Sequence, residues 1–181
     1  MSASAIEACF QTSDISTLSL PKAYHIHSSR PTSCKLGALD FLDDLRFALP
    51  IQIISARRRR SMKTTFVYLF DQANPYQTSA RAHHGVDLIY LFGGSRLVEA
   101  ANKTVSDEMQ RRWIMFINGE APWDGAKLFA FGPLGRCGLI PDEELEVRRR
   151  KQHIEMLKVM DNATLEEVSR KLSIATVSLE N

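Results

Sequence analysis

The chain has few cysteines, almost no net charge and no long apolar run, and each shortage removes a class of protein. Its three cysteines, Cys9, Cys34 and Cys137, are odd in number and far apart, so they make neither a disulfide framework nor a Cys-x-x-Cys metal site. Lysine and arginine total 23 against 21 acidic residues, a formal net charge of +2, which creates no strong field toward nucleic acid or a membrane. No stretch approaches the roughly 18 apolar residues of a membrane span. Residues 1–10 lack the basic start and apolar stretch of a secretory signal. The expectation is a soluble, cytoplasmic protein.

What is present is a globular composition. The 181 residues are 44% hydrophobic, enough for one core in one domain or part of a larger one. Residues 1–36 are rich in Ser and Thr, punctuated by Pro21 and Pro31, and without sustained periodicity, which predicts a disordered arm. Its His25-Ile-His27 puts two imidazoles on one strand face, but no neighbouring Cys, Asp or Glu completes a ligand set, so no metal is expected. From Leu36 to Ala56 the apolar residues recur at mixed helical spacing around Pro50. One helix ending near Ala48 and a second opened by Pro50 are predicted, because proline is tolerated in a first turn and not mid-helix. Asp40, Asp43 and Asp44 read as a solvated face. Arg57-Arg-Arg-Arg60 with Lys63 reads as a basic helix end, with a nucleic-acid patch as the alternative.

Thr64–Phe70 is β-branched and aromatic throughout, a strand whose apolar residues on both faces predict cover on both sides in a parallel α/β sheet. Asp71–Ala82 is then a polar loop at the C-terminal end of that strand, where α/β sheets place ligand sites. His83-His84-Gly85 lies at the far end of the loop, before the apolar segment Asp87–Phe92 and Gly93-Gly94. Val105–Asn118 reads as an amphipathic helix with a buried stripe of Met109, Trp113, Phe116 and Ile117, capped by Thr104 or Ser106 and ended by Gly119. Asn102-Lys-Thr104 fits a glycosylation triplet, a pattern that recurs by chance. Residues 119–140 are loop-rich with one strand at Lys127–Phe131. A charged helix follows at Asp142–Met160, where Arg148-Arg-Arg-Lys151 succeeds Glu143, Glu144 and Glu146 at pairing distance. Thr164-Leu-Glu-Glu167 is a capping box for a last short helix.

Four of these pieces stand in a telling order: Thr65-Phe-Val-Tyr-Leu-Phe70, a loop, His84-Gly-Val-Asp-Leu-Ile-Tyr-Leu-Phe-Gly93, then Ser106-Asp-Glu-Met109 and Trp113-Ile-Met-Phe-Ile-Asn-Gly-Glu-Ala-Pro122. Together they resemble the C-terminal part of a type-B carboxylesterase, the cholinesterase and lipase group of the α/β-hydrolases. Asp43-Asp-Leu-Arg-Phe-Ala-Leu-Pro50 resembles the segment before that strand. The resemblance implies an α/β fold, the C-terminal portion of an α/β-hydrolase, with a few sheet strands, several helices and an incomplete sheet. Residues 37–140 would be the carboxylesterase segment, 141–181 a helical tail of the same domain, and 1–36 an unmatched arm. It also implies that His84 is the catalytic base, with His83 its unmatched neighbour; adjacent residues on an extended segment face opposite ways, so His83 is expected to point elsewhere. Histidine suits that task because it titrates near neutrality, taking a proton from a serine and returning it to the leaving alcohol.

The chain departs from the family in what it lacks. None of its nine glycines forms a Gly-x-Ser-x-Gly elbow, which in this family precedes the base. Gly93-Gly94 follows the base and so does not match the oxyanion-hole pair, and the family's acid would fall in or before the arm. The expectation is a truncated carboxylic-ester hydrolase, a C-terminal fragment carrying His84 without a nucleophile and inactive alone. The alternative is a non-catalytic protein-interaction module derived from a hydrolase. A small-molecule or lipid ester is the implied substrate, with a protein partner or self-association through an exposed sheet edge. No cofactor, metal, nucleic acid or membrane span is expected.

Overall fold

In the computed structural model, which describes residues 2–11, 19–93 and 97–177, one short sheet is preceded and followed along the chain by helices. The chain divides into two units, residues 1–56 with 149–181, and residues 57–148.

The first unit is helical. α1 (Ala3–Cys9) starts on Ser2, whose hydroxyl accepts from the Ala5 amide at 3.2 Å. α1 buries Ile6, α2 (Ser19–Ala23) buries Leu20, and Phe10, Tyr24 and Ile26 in the following turns are buried too. They pack with Cys34 and Phe41 of α3 (Pro31–Asp43), Ile154 and Leu157 of α8 (Lys151–Lys158), and Leu165, Val168 and Leu172 of α9 (Asn162–Val177). Each large side chain buried this way is worth about 1.5–3 kcal/mol. The disordered arm expected over residues 1–36 is therefore corrected for residues 2–11 and 19–36: a Ser- and Thr-rich background concealed apolar residues that close a core. Residues 12–18 of that arm lie outside the described residues.

Nor does the helix end at Ala48. Asp44–Ala48 widen into a π turn, in which the Leu49 amide reaches the Asp44 carbonyl, and α4 (Leu49–Arg60) continues. Pro50 has no amide to donate, and its ring crowds the carbonyl one turn back. The wider turn relieves that conflict without ending the helix.

Asp44 sits in this turn at 2% exposure. Its carboxylate accepts from Arg150 Nε at 2.8 Å, from Arg150 Nη2 at 2.9 Å and from the Tyr24 hydroxyl at 3.0 Å. The solvated face expected for Asp40, Asp43 and Asp44 thus fails for Asp44. The helix expected over Asp142–Met160 is two, α7 (Asp142–Arg148) and α8, because Arg150 leaves helical geometry (φ −78°, ψ 60°) where its guanidinium meets Asp44 and, at 3.3 Å, Asp40. One-turn pairing explains Arg148 with Glu144 but not Arg150. At α9 the cap is Asp161, which accepts from the Thr164 amide and hydroxyl at 2.9 Å each, rather than a box beginning at Thr164.

The second unit holds the sheet. β1 (Val67–Phe70) runs parallel to β2 (Leu128–Phe131), and β2 antiparallel to β3 (Cys137–Ile140), in the order β1-β2-β3. The α/β class with a partial sheet therefore stands. β2 falls where expected, but β1 is shorter than Thr64–Phe70, and as an edge strand each of its residues is half-buried rather than covered on both faces. α5 (Val86–Phe92) and α6 (Ala100–Ile117) complete the unit around Val86, Tyr90, Leu97, Val105, Met109, Phe129 and Phe131. α6 buries Asn102, Val105, Ser106 and Met109, while Phe116 and Ile117 at the end of the predicted stripe are 53% and 74% exposed. Thr104 and Ser106 are not caps: their hydroxyls donate to the Ala100 and Tyr90 carbonyls at 2.9 and 2.6 Å. Gly119 does close the helix, its amide on Phe116 O and that of Glu120 on Met115 O. Among the described residues no helix is long and apolar enough to cross a membrane.

Candidate functional site at the loop after β1

The loop from Asp71 to Gly85 leaves the C-terminal end of β1 and is fixed at its root by a buried polar network. Pairing with β2 runs one residue past the strand, the Asp71 amide donating to Phe131 O at 2.8 Å. Gln72 then turns inward. Its Nε2 donates to Asn102 Oδ1 at 2.8 Å, and its Oε1 accepts from the Gly135 amide at 3.0 Å. The Tyr90 hydroxyl lies 2.7 Å from both Asn102 Oδ1 and Ala73 O, while Asn102 Nδ2 donates to Glu99 at 2.9 Å. Burial, reinforced by the Glu99 carboxylate, pushes the Tyr90 phenol up to about 12. The packing is close: a Cβ on Gly132, whose φ is +87°, would stand 2.8 Å from Gln72 Cα. Asp71 is engaged with Arg148 Nη1 at 3.2 Å, and Arg148 also donates to Gly132 O at 2.9 Å.

Farther out, Asn74 folds the loop onto itself. Its Oδ1 accepts from the Tyr76 amide at 2.9 Å, which orients the side-chain amide so that Nδ2 faces His83 Nε2 at 3.1 Å. An amide nitrogen only donates, so Nε2 is the acceptor and the ring proton sits on Nδ1, 3.2 Å from the His84 carbonyl. His83 thereby uses both ring nitrogens to hold the backbone at its neighbour.

His84 itself is exposed. Gly85, at φ +81°, follows it in the left-handed region that glycine adopts without strain, and α5 begins at once. Val86 and Tyr90, both 0% exposed, seat that helix in the core. On its first turn Asp87 accepts from the Tyr68 hydroxyl of β1 at 3.1 Å, and burial, then the Asp87 charge, raises the Tyr68 phenol. The His-Gly turn is therefore clamped on both sides: by the His83–Asn74 contact before it, and after it by the buried face of α5 and the Asp87–Tyr68 tie. The two histidines occupy a turn that opens a helix, not the extended segment assumed in placing His83.

Along its sequence the chain matches the model of the Carboxylesterase family over residues 4–164. The chain belongs to the carboxylesterase family. The match takes in most of the segment expected to be an unmatched arm. It is also 30% identical over 118 residues to Lipase 3 of Yarrowia lipolytica (strain CLIB 122 / E 150), over 65% of this chain and 23% of the lipase. The chain thus spans less than a quarter of the length of that relative. No solved structure matches it.

The loop is held by residues that no sequence motif announces. Gln72, Asn102 and Tyr90 carry no motif, and Asn102 read only as a chance glycosylation triplet. Counting back from Met109 in helical steps lands on Ser106, Val105 and Asn102, a polar pair in phase with an apolar face, and that signal was present. An open cleft of about 620 Å³, lined by Thr104, Asp107, Glu108, Arg111, Gly135 and Cys137, does not include His84. No group of three or more His, Cys, Asp or Glu among the described residues is placed to hold a metal. His27 Nδ1 instead accepts from the Ser29 amide at 3.1 Å.

Proposed function

We propose that this chain is the base-bearing C-terminal part of a carboxylic-ester hydrolase, with His84 as general base. The observation that carries the reading is an exposed histidine on a His-Gly turn, clamped on both sides, at the end of the loop leaving β1. In the reaction the imidazole takes the proton of a serine hydroxyl as it attacks the ester carbonyl, then gives it to the departing alkoxide. These 181 residues hold no Gly-x-Ser-x-Gly elbow, so in this reading the serine and its oxyanion donors come from the rest of a longer hydrolase; the chain spans 23% of the lipase it matches. A base without them provides only about 10²–10⁴ over water. The substrate class is a small-molecule or lipid ester. The free thiols Cys9, Cys34 and Cys137 suit a reducing, cytoplasmic setting. The test is hydrolysis of p-nitrophenyl butyrate together with fluorophosphonate labelling. We expect no labelled serine and at most slow turnover that His84→Ala abolishes. A labelled serine, or turnover indifferent to His84, contradicts the assignment.

The sheet supports a second reading, a non-catalytic interaction module. Among the described residues β1 and β3 are both edges, and Ile114, Phe116 and Ile117 at the end of α6 are 58%, 53% and 74% exposed. An open edge with apolar surface beside it favours pairing with another chain. Light scattering that reports a monodisperse, reversibly unfolding monomer would count against this reading.

A further inference from the structure

Two serines of the sequence follow a basic pair at the third and second positions before them: Ser61, after Arg58-Arg59, and Ser173, after Arg170-Lys171. The structure treats the two differently. Ser173 stands inside α9, half-buried, its hydroxyl donating to Ser169 O at 2.7 Å and accepting from Arg46 Nη2. Ser61 directly follows the last residue of α4, in the second unit. Its amide reaches Arg57 O at 3.1 Å, and the helix closes past it with the Met62 amide on Arg59 O and the Lys63 amide on Arg58 O, 3.0 Å each. That closure needs a left-handed residue, and Met62 takes φ +55° where glycine is usual, so the last turn is held less firmly than a glycine-ended one. Residues 57–64 are all exposed, so opening this turn uncovers no buried side chain. What it breaks is exposed as well, the bonds of Arg58 to Thr65 Oγ1 at 3.2 Å and to Thr64 O at 3.4 Å.

Among the described residues, the Ser61 hydroxyl has no hydrogen bond, and Arg57, Arg58, Arg59 and Arg60 have no ion pair, whereas Arg111, Arg112, Arg148 and Arg150 all do. Uncompensated cations are not buried without carboxylates brought to meet them, so charge keeps this end of α4 at a surface even where apolar faces of the chain are covered.

We propose that Ser61 is a phosphorylation site for a serine/threonine protein kinase that reads arginine at the third and second positions before its acceptor. Such a kinase holds the acceptor segment extended and binds those guanidiniums on carboxylates. The last turn of α4 reaches that shape by fraying, and the middle of α9 does not. In the reaction the Ser61 hydroxyl oxygen bonds to the γ-phosphorus of ATP, the bond from that phosphorus to the β-phosphate oxygen breaks, ADP leaves, and the hydroxyl proton passes to the kinase's carboxylate base. The phosphate then lies where the helix dipole disfavours negative charge, with the guanidiniums of residues 57–60 within a turn to hold it. The site stands independently of the role assigned to His84.

The experiment incubates the full chain with Mg-ATP and the catalytic subunit of cyclic-AMP-dependent protein kinase, follows incorporation by intact mass and maps it by tandem mass spectrometry. We expect one phosphoryl group on Ser61, with Ser173 modified at least about tenfold more slowly because α9 would have to open. Ser61→Ala should remove the incorporation. Arg58→Gln with Arg59→Gln should slow it about a hundredfold, one charge-assisted contact being lost for each arginine. Far-UV circular dichroism verifies that these variants fold, and the comparison of Ser61 with Ser173 needs no variant. No incorporation, incorporation at Ser173 ahead of Ser61, or an unchanged rate in the arginine variant would each overturn the proposal.

Discussion

Replacing Asn102 by alanine is the sharpest probe of how the His84 loop is held. Asn102 is 5% exposed and accepts from both Gln72 Nε2 and the Tyr90 hydroxyl. Without it, the Gln72 amide loses its buried acceptor, while Tyr90 keeps Ala73 O. A buried donor left unpaired costs about 1–3 kcal/mol, and the lost packing and the bond to Glu99 bring the expected total to about 2–4 kcal/mol. Tyr90→Phe should cost less, about 1–2 kcal/mol, because Asn102 then still serves Gln72. The two share one oxygen, so the double variant should fall short of the sum by about 1 kcal/mol. The chain's two tryptophans, Trp113 and Trp123, both lie in the second unit, so urea unfolding followed by their fluorescence reports the right part of the molecule. Amide exchange across residues 71–85 should accelerate in parallel. An Asn102→Ala cost below about 0.5 kcal/mol, or strict additivity with Tyr90→Phe, would refute the claim that this network fixes the loop.

Other outcomes follow from the same geometry. Arg150→Gln leaves the buried Asp44 carboxylate with the Tyr24 hydroxyl as its neutral partner and should destabilise the first unit by about 3–5 kcal/mol in a denaturant titration read by far-UV circular dichroism. Gly85→Ala meets no atom within 4 Å but keeps φ +81°, so its cost should stay near about 1 kcal/mol; Gly132→Ala, which presses on Gln72 as well, should cost clearly more in the same assay. His153 packs on Tyr24 with centroids 4.7 Å apart, and burial lowers its pKa below 6.5 against the opposing pull of Asp44. The unfolded chain then takes up the proton first, so stability is full above pH 6.5 and declines as pH falls below it. His153→Phe should flatten that decline in thermal melts between neutral and mildly acidic pH.

Local signals were legible where one residue type decides the structure. Phe129 and Phe131 alternate in a short apolar run and gave β2. Gly119 gave the end of α6, and His84-Gly85 gave the turn that opens α5. The misreadings share a cause, since each depended on a partner far away in sequence. Asp44 reads as solvated until Arg150, 106 residues on, is brought to it. β3 is a Cys-Gly-Leu-Ile segment after two glycines and becomes a strand only by pairing with β2. Pro50 does announce a break, but the π turn shows that tertiary packing can absorb the missing hydrogen bond. In the loop, the histidine was visible through its motif, whereas Gln72, Asn102 and Tyr90, which hold it, were ordinary polar residues in an apolar phase.

The central claim is that His84 is the base and His83 only holds the turn. It is tested most directly in a chimera in which residues 37–140 of this chain replace the corresponding region of the Yarrowia lipolytica lipase, with kcat measured on a p-nitrophenyl ester. The account predicts turnover that His84→Ala lowers by about a thousandfold or more, as loss of a triad member does, while His83→Ala loses less than about tenfold. Equal losses at the two histidines, or full activity without His84, would contradict it.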